Sequence, residues 1–261
     1  MFPRLIHHGD FFLPTYGFMA ALGLIVGLWV ISKLARKNGV DPDDAWNLGI
    51  IVILSGILGA KVLMVMVEWR RYSSDLFSTM QAGGIFSGGV AAAFIAGTWY
   101  VRRRRMPWLK TADVFAPGLA LGHAFGRLGC FAAGCCYGKE TNLPWGVRFS
   151  DTWADKLSGT PVGVPLHATQ LYEFVVELAN FVLLAWMIRR KKFDGQIIGT
   201  YLFTYGVARF FLEFLRGDPG RGQFFDTWMT ATQFIAILMV ISGGALWMQR
   251  TRRSQLSEAA I

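Results

Sequence analysis

The sequence predicts an all-α integral membrane protein of about seven transmembrane helices, with a small extracytoplasmic loop or cap between helices 4 and 5. Three observations carry that expectation. Of the 261 residues, 53% are hydrophobic and only 16% charged, a balance too apolar for a soluble domain of this length. Seven segments approach or reach the roughly 20 largely apolar residues that a helix needs to cross the hydrocarbon core. The excess of basic residues, a formal net charge of +9, falls in short clusters between the apolar runs, as in cytoplasmic loops, so nucleic acid is not an expected partner.

The segments cover about 11–32, 45–67, 83–101, 112–131, 168–188, 195–215 and 228–248. The first is too long for a signal peptide, lacks a basic leader and a clear small-residue cleavage site, and reads as a retained span. Threading the seven in order gathers Lys33, Arg36, Lys37, Arg102 to Arg105, Lys110, Arg189 to Lys192, Arg250, Arg252 and Arg253 on one side, 15 of the 26 Lys and Arg. Arg4, Arg70, Arg71, Lys139, Arg148, Lys156, Arg216 and Arg221 fall on the other. The richer side is cytoplasmic by the positive-inside rule, with the N-terminus extracytoplasmic and the C-terminus cytoplasmic. Residues 1–261 are expected to form a single polytopic membrane domain. Its longest outer connection, about 138–167, is punctuated by Pro144, Gly146, Gly159, Pro161, Gly163 and Pro165, and reads as an extended loop or small cap.

Polar residues inside the spans point to function. The fourth span leads through His123-Ala-Phe-Gly-Arg127-Leu-Gly-Cys130 to Cys135-Cys136-Tyr-Gly138. A guanidinium in lipid costs on the order of several kcal/mol unless it meets a partner or a water-filled cavity, so Arg127 points to an anion bound within the membrane. Gly118, Gly122 and Gly126 recur every fourth residue, which lets a neighbouring helix approach the face leading to Arg127. In the fifth span Gln170, Glu173 and Glu177 share a face, as general bases, cation ligands or counter-ions to Arg127 and Arg209. In the sixth, Tyr205, Arg209 and Glu213 are four apart, with Arg216 three further on. That stripe is either an ion pair holding the bundle together or the seat of an anionic head group.

Other features carry weaker signals. His123 and His167 are candidates for chemistry, although a lone histidine is more often structural. Gly83-Gly84 and Gly88-Gly89 flank Ser87 in the third span, either thinning a helix beside a cavity or permitting packing. Cys130, Cys135 and Cys136 lack the paired CxxC spacing of a structural zinc site, so neither a metal nor a cofactor is expected. Adjacent Cys135 and Cys136 are poorly placed to bridge each other. A thiolate near Arg127 would be a nucleophile, and small packing residues are the plainer alternative.

The residues resemble those of the prolipoprotein diacylglyceryl transferases. The matching blocks are Pro14-Thr15-Tyr16-Gly17, Gly59-Ala60-Lys61, Ser87-Gly88-Gly89, Gly126-Arg127-Leu128-Gly129-Cys130-Phe131 through Tyr137-Gly138, His167-Ala168-Thr169-Gln170-Leu171-Tyr172-Glu173, and Tyr205-Gly206 with Arg209, Glu213 and Arg216. The resemblance implies a multi-pass enzyme of the bacterial cytoplasmic membrane. It would transfer the diacylglyceryl group of phosphatidylglycerol to the lipobox cysteine of a preprolipoprotein, leaving a thioether and glycerol phosphate. By the same resemblance Arg127 and Arg209 hold or activate the phosphate, Glu213 orients Arg209, and Tyr16 and Tyr205 line the cavity. Lys61, Ser87, Gly88, Gly89, Cys130, Gly138, Gln170, Glu173 and Arg216 fall on the family's substrate-binding blocks.

The chain departs from the family pattern at the signature. Cys130 and Ala133 replace its two asparagines, Cys135 its acidic or amide position, Ser87 a common histidine and Lys61 a frequent arginine. The departures keep the arginines and remove the most obvious base, so the thiol proton is expected to leave through Glu213, His167 or water rather than Ser87. Two other functions are compatible with buried Arg, Glu and His: an anionic-lipid-binding paralogue without catalysis, and a transporter of a small anion or of protons.

Overall fold

The computed structural model describes residues 4–8, 11–69, 84–218 and 229–258, and most of them are helical. The elements begin with strands β1 (Arg4–His8) and β2 (Phe11–Pro14), which pair antiparallel. Helices α1 (Thr15–Lys37), α2 (Pro42–Val67), α3 (Phe86–Arg103) and α4 (Trp108–Ala133) follow. The connection after α4 holds β3 (Val147–Arg148), the short α5 (Thr152–Ser158) and β4 (Pro165–Leu166). Helices α6 (Thr169–Met187), α7 (Gln196–Leu215) and α8 (Ala231–Glu258) complete the chain.

Among the described residues, four helices are long and apolar enough to cross a membrane: Thr15–Lys37, Pro42–Val67, Thr169–Arg190, in which a 3-10 turn extends α6, and Ala231–Met248. The other long helices named are less apolar, with Lys110, Asp113 and Arg127 in α4 and Arg209 and Glu213 in α7. The burial pattern inverts that of a soluble protein. Asp113, Glu173, Glu177 and Glu213 are buried, whereas Leu54, Leu58, Met66, Ile95, Phe211 and Ile241 are each at least 60% exposed. Apolar side chains facing outward around buried charge suit a hydrocarbon surround.

Local chemistry fixes several boundaries. The first expected span was to begin at residue 11, but Phe11–Pro14 is a strand and the helix starts at Thr15. Pro14 lacks the N–H that a helix interior needs and is tolerated just ahead of one. At α2, Asp41 caps the helix by accepting from the Asp43 and Asp44 amides at 2.8 and 3.3 Å, and Pro42 opens the first turn. Arg70, Arg71 and Arg221, and residues 83 and 228 at the starts of two expected spans, lie outside the described residues.

The chain divides into two compact units, residues 31–111 and residues 1–30 with 112–261. In the first, α2 and α3 meet along small residues: a Cβ on Gly88 would lie 2.6 Å from the Gly59 carbonyl oxygen, and one on Gly89 2.8 Å from that of Gly56. Arg104 and Tyr100 both reach Asp44, at 2.7 and 3.2 Å.

In the larger unit α1 and α4 meet in the same way. A Cβ on Gly27 would stand 2.8 Å from the Gly118 carbonyl and one on Gly23 2.8 Å from that of Gly122, while one on Gly126 would meet nothing within 4 Å. Asp113 of α4, fully buried, accepts from the amides of Gly195, Ile197 and Ile198 at 2.8, 2.9 and 3.0 Å and from Lys191 Nζ at 3.2 Å. One carboxylate thus satisfies the open amides at the start of α7. The connection after α4 has a small core of its own, Tyr137, Phe149 and Leu166. Burial raises the pKa of the Tyr137 hydroxyl, which donates to Gly159 O at 2.8 Å.

Candidate active site

Three helices of the larger unit place their polar faces around Glu173, which is 1% exposed. Arg127 of α4 brings Nη2 to 2.8 Å from Glu173 Oε1, and Arg209 of α7 brings Nε to 3.9 Å from the same oxygen. Tyr205, one turn before Arg209, donates its hydroxyl to that oxygen at 2.9 Å. Two guanidinium groups 82 positions apart in sequence therefore converge on one atom. Desolvated and facing each other, they form a cationic seat whose present occupant is a carboxylate.

Helical periodicity explains the assembly. His123 and Arg127 are four apart on α4, Glu173 and Glu177 four apart on α6, and Tyr205, Arg209 and Glu213 four apart on α7, so each set projects from one face. Arg127 Nε donates to His123 Nε2 at 3.1 Å, and His123 Nδ1 lies 3.0 Å from Glu177 Oε1. That bonding assigns the ring proton to Nδ1 and leaves Nε2 as an acceptor. Glu177 also accepts from the Tyr201 hydroxyl at 3.3 Å. Tyr201 stacks on Tyr205, and the His123 ring meets Tyr205 edge-on at 5.2 Å.

A second carboxylate faces Arg209 from its own helix. Arg209 Nη1 is 2.9 Å from Glu213 Oε2, and Thr230 Oγ1 donates to Glu213 Oε1 at 2.9 Å. Arg216 ends α7 and turns to Asp218, donating from Nε and Nη2 at 2.7 Å each.

The remaining expected residues fall in three places. Gly138 lies in a backbone crossing: its amide donates to His167 O at 3.0 Å, and the Lys139 amide donates to Leu215 O at 2.8 Å. A Cβ there would sit 2.5 Å from His167 Cβ and 2.6 Å from His167 O, so only glycine fits. His167 Nδ1 is 3.3 Å from the Tyr172 hydroxyl, and Gln170 Nε2 donates to Cys135 O at 2.7 Å. Tyr16, in the first turn of α1, packs on Gly129, where a Cβ would stand 3.2 Å from the Tyr16 ring. Lys61 on α2 and Ser87, Gly88 and Gly89 at the start of α3 belong to the other unit.

The sequence profile of the prolipoprotein diacylglyceryl transferases matches residues 3–249, nearly the whole chain. The chain belongs to this family. Among its relatives, the phosphatidylglycerol–prolipoprotein diacylglyceryl transferase of Clostridium tetani (strain Massachusetts / E88) is 34% identical over 230 residues, 87% of this chain and 89% of its own. The enzyme named phosphatidylglycerol–prolipoprotein diacylglyceryl transferase 2 of Clostridium perfringens (strain 13 / Type A) is 35% identical over 236 residues, 89% of each. That of Aliivibrio salmonicida (strain LFI1238) is 32% identical over 248 residues, 92% of this chain and 84% of its own.

Within this family member the structure adds residues that sequence reading underweighted. His123 and Glu177 stand directly behind the Arg127–Glu173 pair, Tyr201 donates to Glu177, and Thr230 donates to Glu213. The available signal was spacing, since His123 precedes Arg127 by one helical turn and Glu177 follows Glu173 by one.

Proposed function

We propose that this chain transfers the diacylglyceryl group of phosphatidylglycerol to the lipobox cysteine of a preprolipoprotein. The observation that carries the site assignment is the convergence of Arg127 and Arg209 on Glu173 Oε1, at 2.8 and 3.9 Å. A lipid phosphate entering between the guanidinium groups exchanges one anion for another, with bidentate charge-assisted hydrogen bonds available from each arginine. The acceptor sulfur attacks the glyceryl carbon that bears the phosphate ester. A carbon–sulfur bond forms, the carbon–oxygen bond breaks, and the electron pair leaves on glycerol phosphate. The arginines stabilise that developing charge.

The thiol proton goes to His123 in this reading. When phosphate draws Arg127 away, Nε2 loses the donor that occupies it, and Glu177 at 3.0 Å from Nδ1 stabilises the resulting imidazolium. Glu213 orients Arg209, and Tyr205 orients Glu173. His167, Gln170 and Gly138 hold the wall after α4, while Tyr16, Lys61 and Ser87 stand as lipid- or peptide-facing positions; Gly88 and Gly89 instead pack α3 on α2, Arg216 is held by Asp218, and buried Cys130 takes no part in binding lipid or peptide. The reading takes residues 1–261 as one polytopic domain of the bacterial cytoplasmic membrane with seven spans, the N-terminus and the 138–167 connection outside and the C-terminus inside. Membrane lipids and preprolipoprotein signal segments are its partners.

Purified protein mixed with phosphatidylglycerol and a lipobox peptide tests the proposal. A diacylglyceryl mass increase on the peptide cysteine, with release of glycerol phosphate, is expected. Saturable lipid binding without an adduct would replace the enzyme by a lipid-binding relative.

A further inference from the structure

The three cysteines lie outside the chemistry above. Cys130 is in the last turn of α4, and the chain then turns back through Gly134 and Cys136, whose φ angles are +79° and +62°. A cysteine in the left-handed region is uncommon and needs surroundings that hold it there. Thr160 Oγ1 donates to Gly134 O at 2.7 Å, Gln170 Nε2 to Cys135 O at 2.7 Å and Thr169 Oγ1 to Cys136 O at 2.8 Å. The turn is thereby fastened to the start of α6 and to the segment after α5. Its result is that the Cys130, Cys135 and Cys136 sulfurs all lie within 4.8 Å of one another, as free thiols.

Pair-spacing rules for zinc do not describe this arrangement, because a reversal of the backbone rather than a CxxC knuckle brings the sulfurs together. Three thiolates around one ion at about 2.3 Å each are about 4.0 Å apart, inside the observed limit. Thiolate donors select soft ions, and three of them suit the trigonal preference of Cu(I) better than the tetrahedral site of structural zinc.

We propose that Cys130, Cys135 and Cys136 form a three-thiolate binding site for one soft monovalent metal ion, Cu(I) by class. The site is separate from lipid transfer, and its occupancy ties the end of α4 to the turn that follows.

The test uses the full chain in detergent under anaerobic conditions, titrated with Cu(I) held by the coloured chelator bicinchoninate. The expected result is removal of one Cu(I) per chain, with an X-ray absorption shell of three sulfurs. Cys130→Ser, Cys135→Ser and Cys136→Ser should each weaken retention at least tenfold, and the triple variant should abolish it while eluting as the parent does and still binding phosphatidylglycerol vesicles. Failure to compete with the chelator, a shell of nitrogen or oxygen, or unchanged retention by the triple variant would each overturn the proposal. Because the readout is metal content, an inactive transferase would leave it standing, and an active one would not support it.

Discussion

Replacing Arg127 by alanine separates the two duties that its geometry gives it. Its guanidinium faces Glu173 at 2.8 Å and His123 at 3.1 Å; in the proposed transfer it would face a phosphate oxygen. Loss of a charge-assisted hydrogen bond of about 1.5–3 kcal/mol from the leaving group corresponds to a fall of about 10- to 150-fold in kcat/KM. Breaking a buried ion pair costs about 3–5 kcal/mol of stability when one charge is stranded. Here the loss is smaller, because Arg209 at 3.9 Å and Tyr205 at 2.9 Å still face the carboxylate. Adding Glu173→Gln removes the stranded charge, so the double variant should unfold at a higher temperature than Arg127→Ala while remaining as slow. Arg127→Lys should recover only part of the rate, since an ammonium cannot make a forked contact. Peptide lipidation followed by mass spectrometry gives the rates, and thermal unfolding in detergent gives the stabilities. Turnover by Arg127→Ala within threefold of the parent would refute the role of this arginine in the leaving group's departure.

Arg209→Ala should likewise lose most activity, measured in the same assay, because the second guanidinium of the seat disappears. His123→Gln should lower kcat by about 10²- to 10⁴-fold with little change in KM for lipid, and its remaining rate should climb with pH as the acceptor thiol ionises unaided; a pH profile parallel to the parent's would count against His123 as the proton acceptor. Ser87→Ala should leave transfer near normal, since an unactivated hydroxyl accepts protons poorly at neutral pH, and its complete inactivation in a well-folded, substrate-binding variant would contradict this. Gly27→Val should cost about 1–3 kcal/mol in chemical or thermal unfolding, because its side chain would meet the Gly118 carbonyl, from which even a Cβ would be only 2.8 Å away.

Much of the helical layout was legible in the sequence because apolar length is a local property. The helix at Gln196–Leu215 follows the expected segment almost to the residue, whereas the start of the first span was missed because a short strand with the same apolar character precedes Pro14. The arginines and Glu173 were legible because charge within an apolar run must have a purpose. What could not be read was pairing across helices. Nothing in the order of residues says that Arg127 and Arg209 meet on the same oxygen, that His123 lies between Arg127 and Glu177, or that Asp113 caps a helix beginning 83 residues later. The cysteines show the same limit in reverse, for their spacing argued against a cluster that a reversal of the backbone creates.

The Asp113 cap bears on how a substrate gains admission. By seizing three amides at the head of α7 it nails that helix to α4, the two rods that carry Arg209 and Arg127. Sliding one rod past the other would strip a buried carboxylate of all three bonds, so the scaffold behaves as a stiff frame. In the proposed reaction, widening the gap between the guanidinium groups then falls to rotation of side chains, with Glu173 and the arginines having to part for a phosphate to enter.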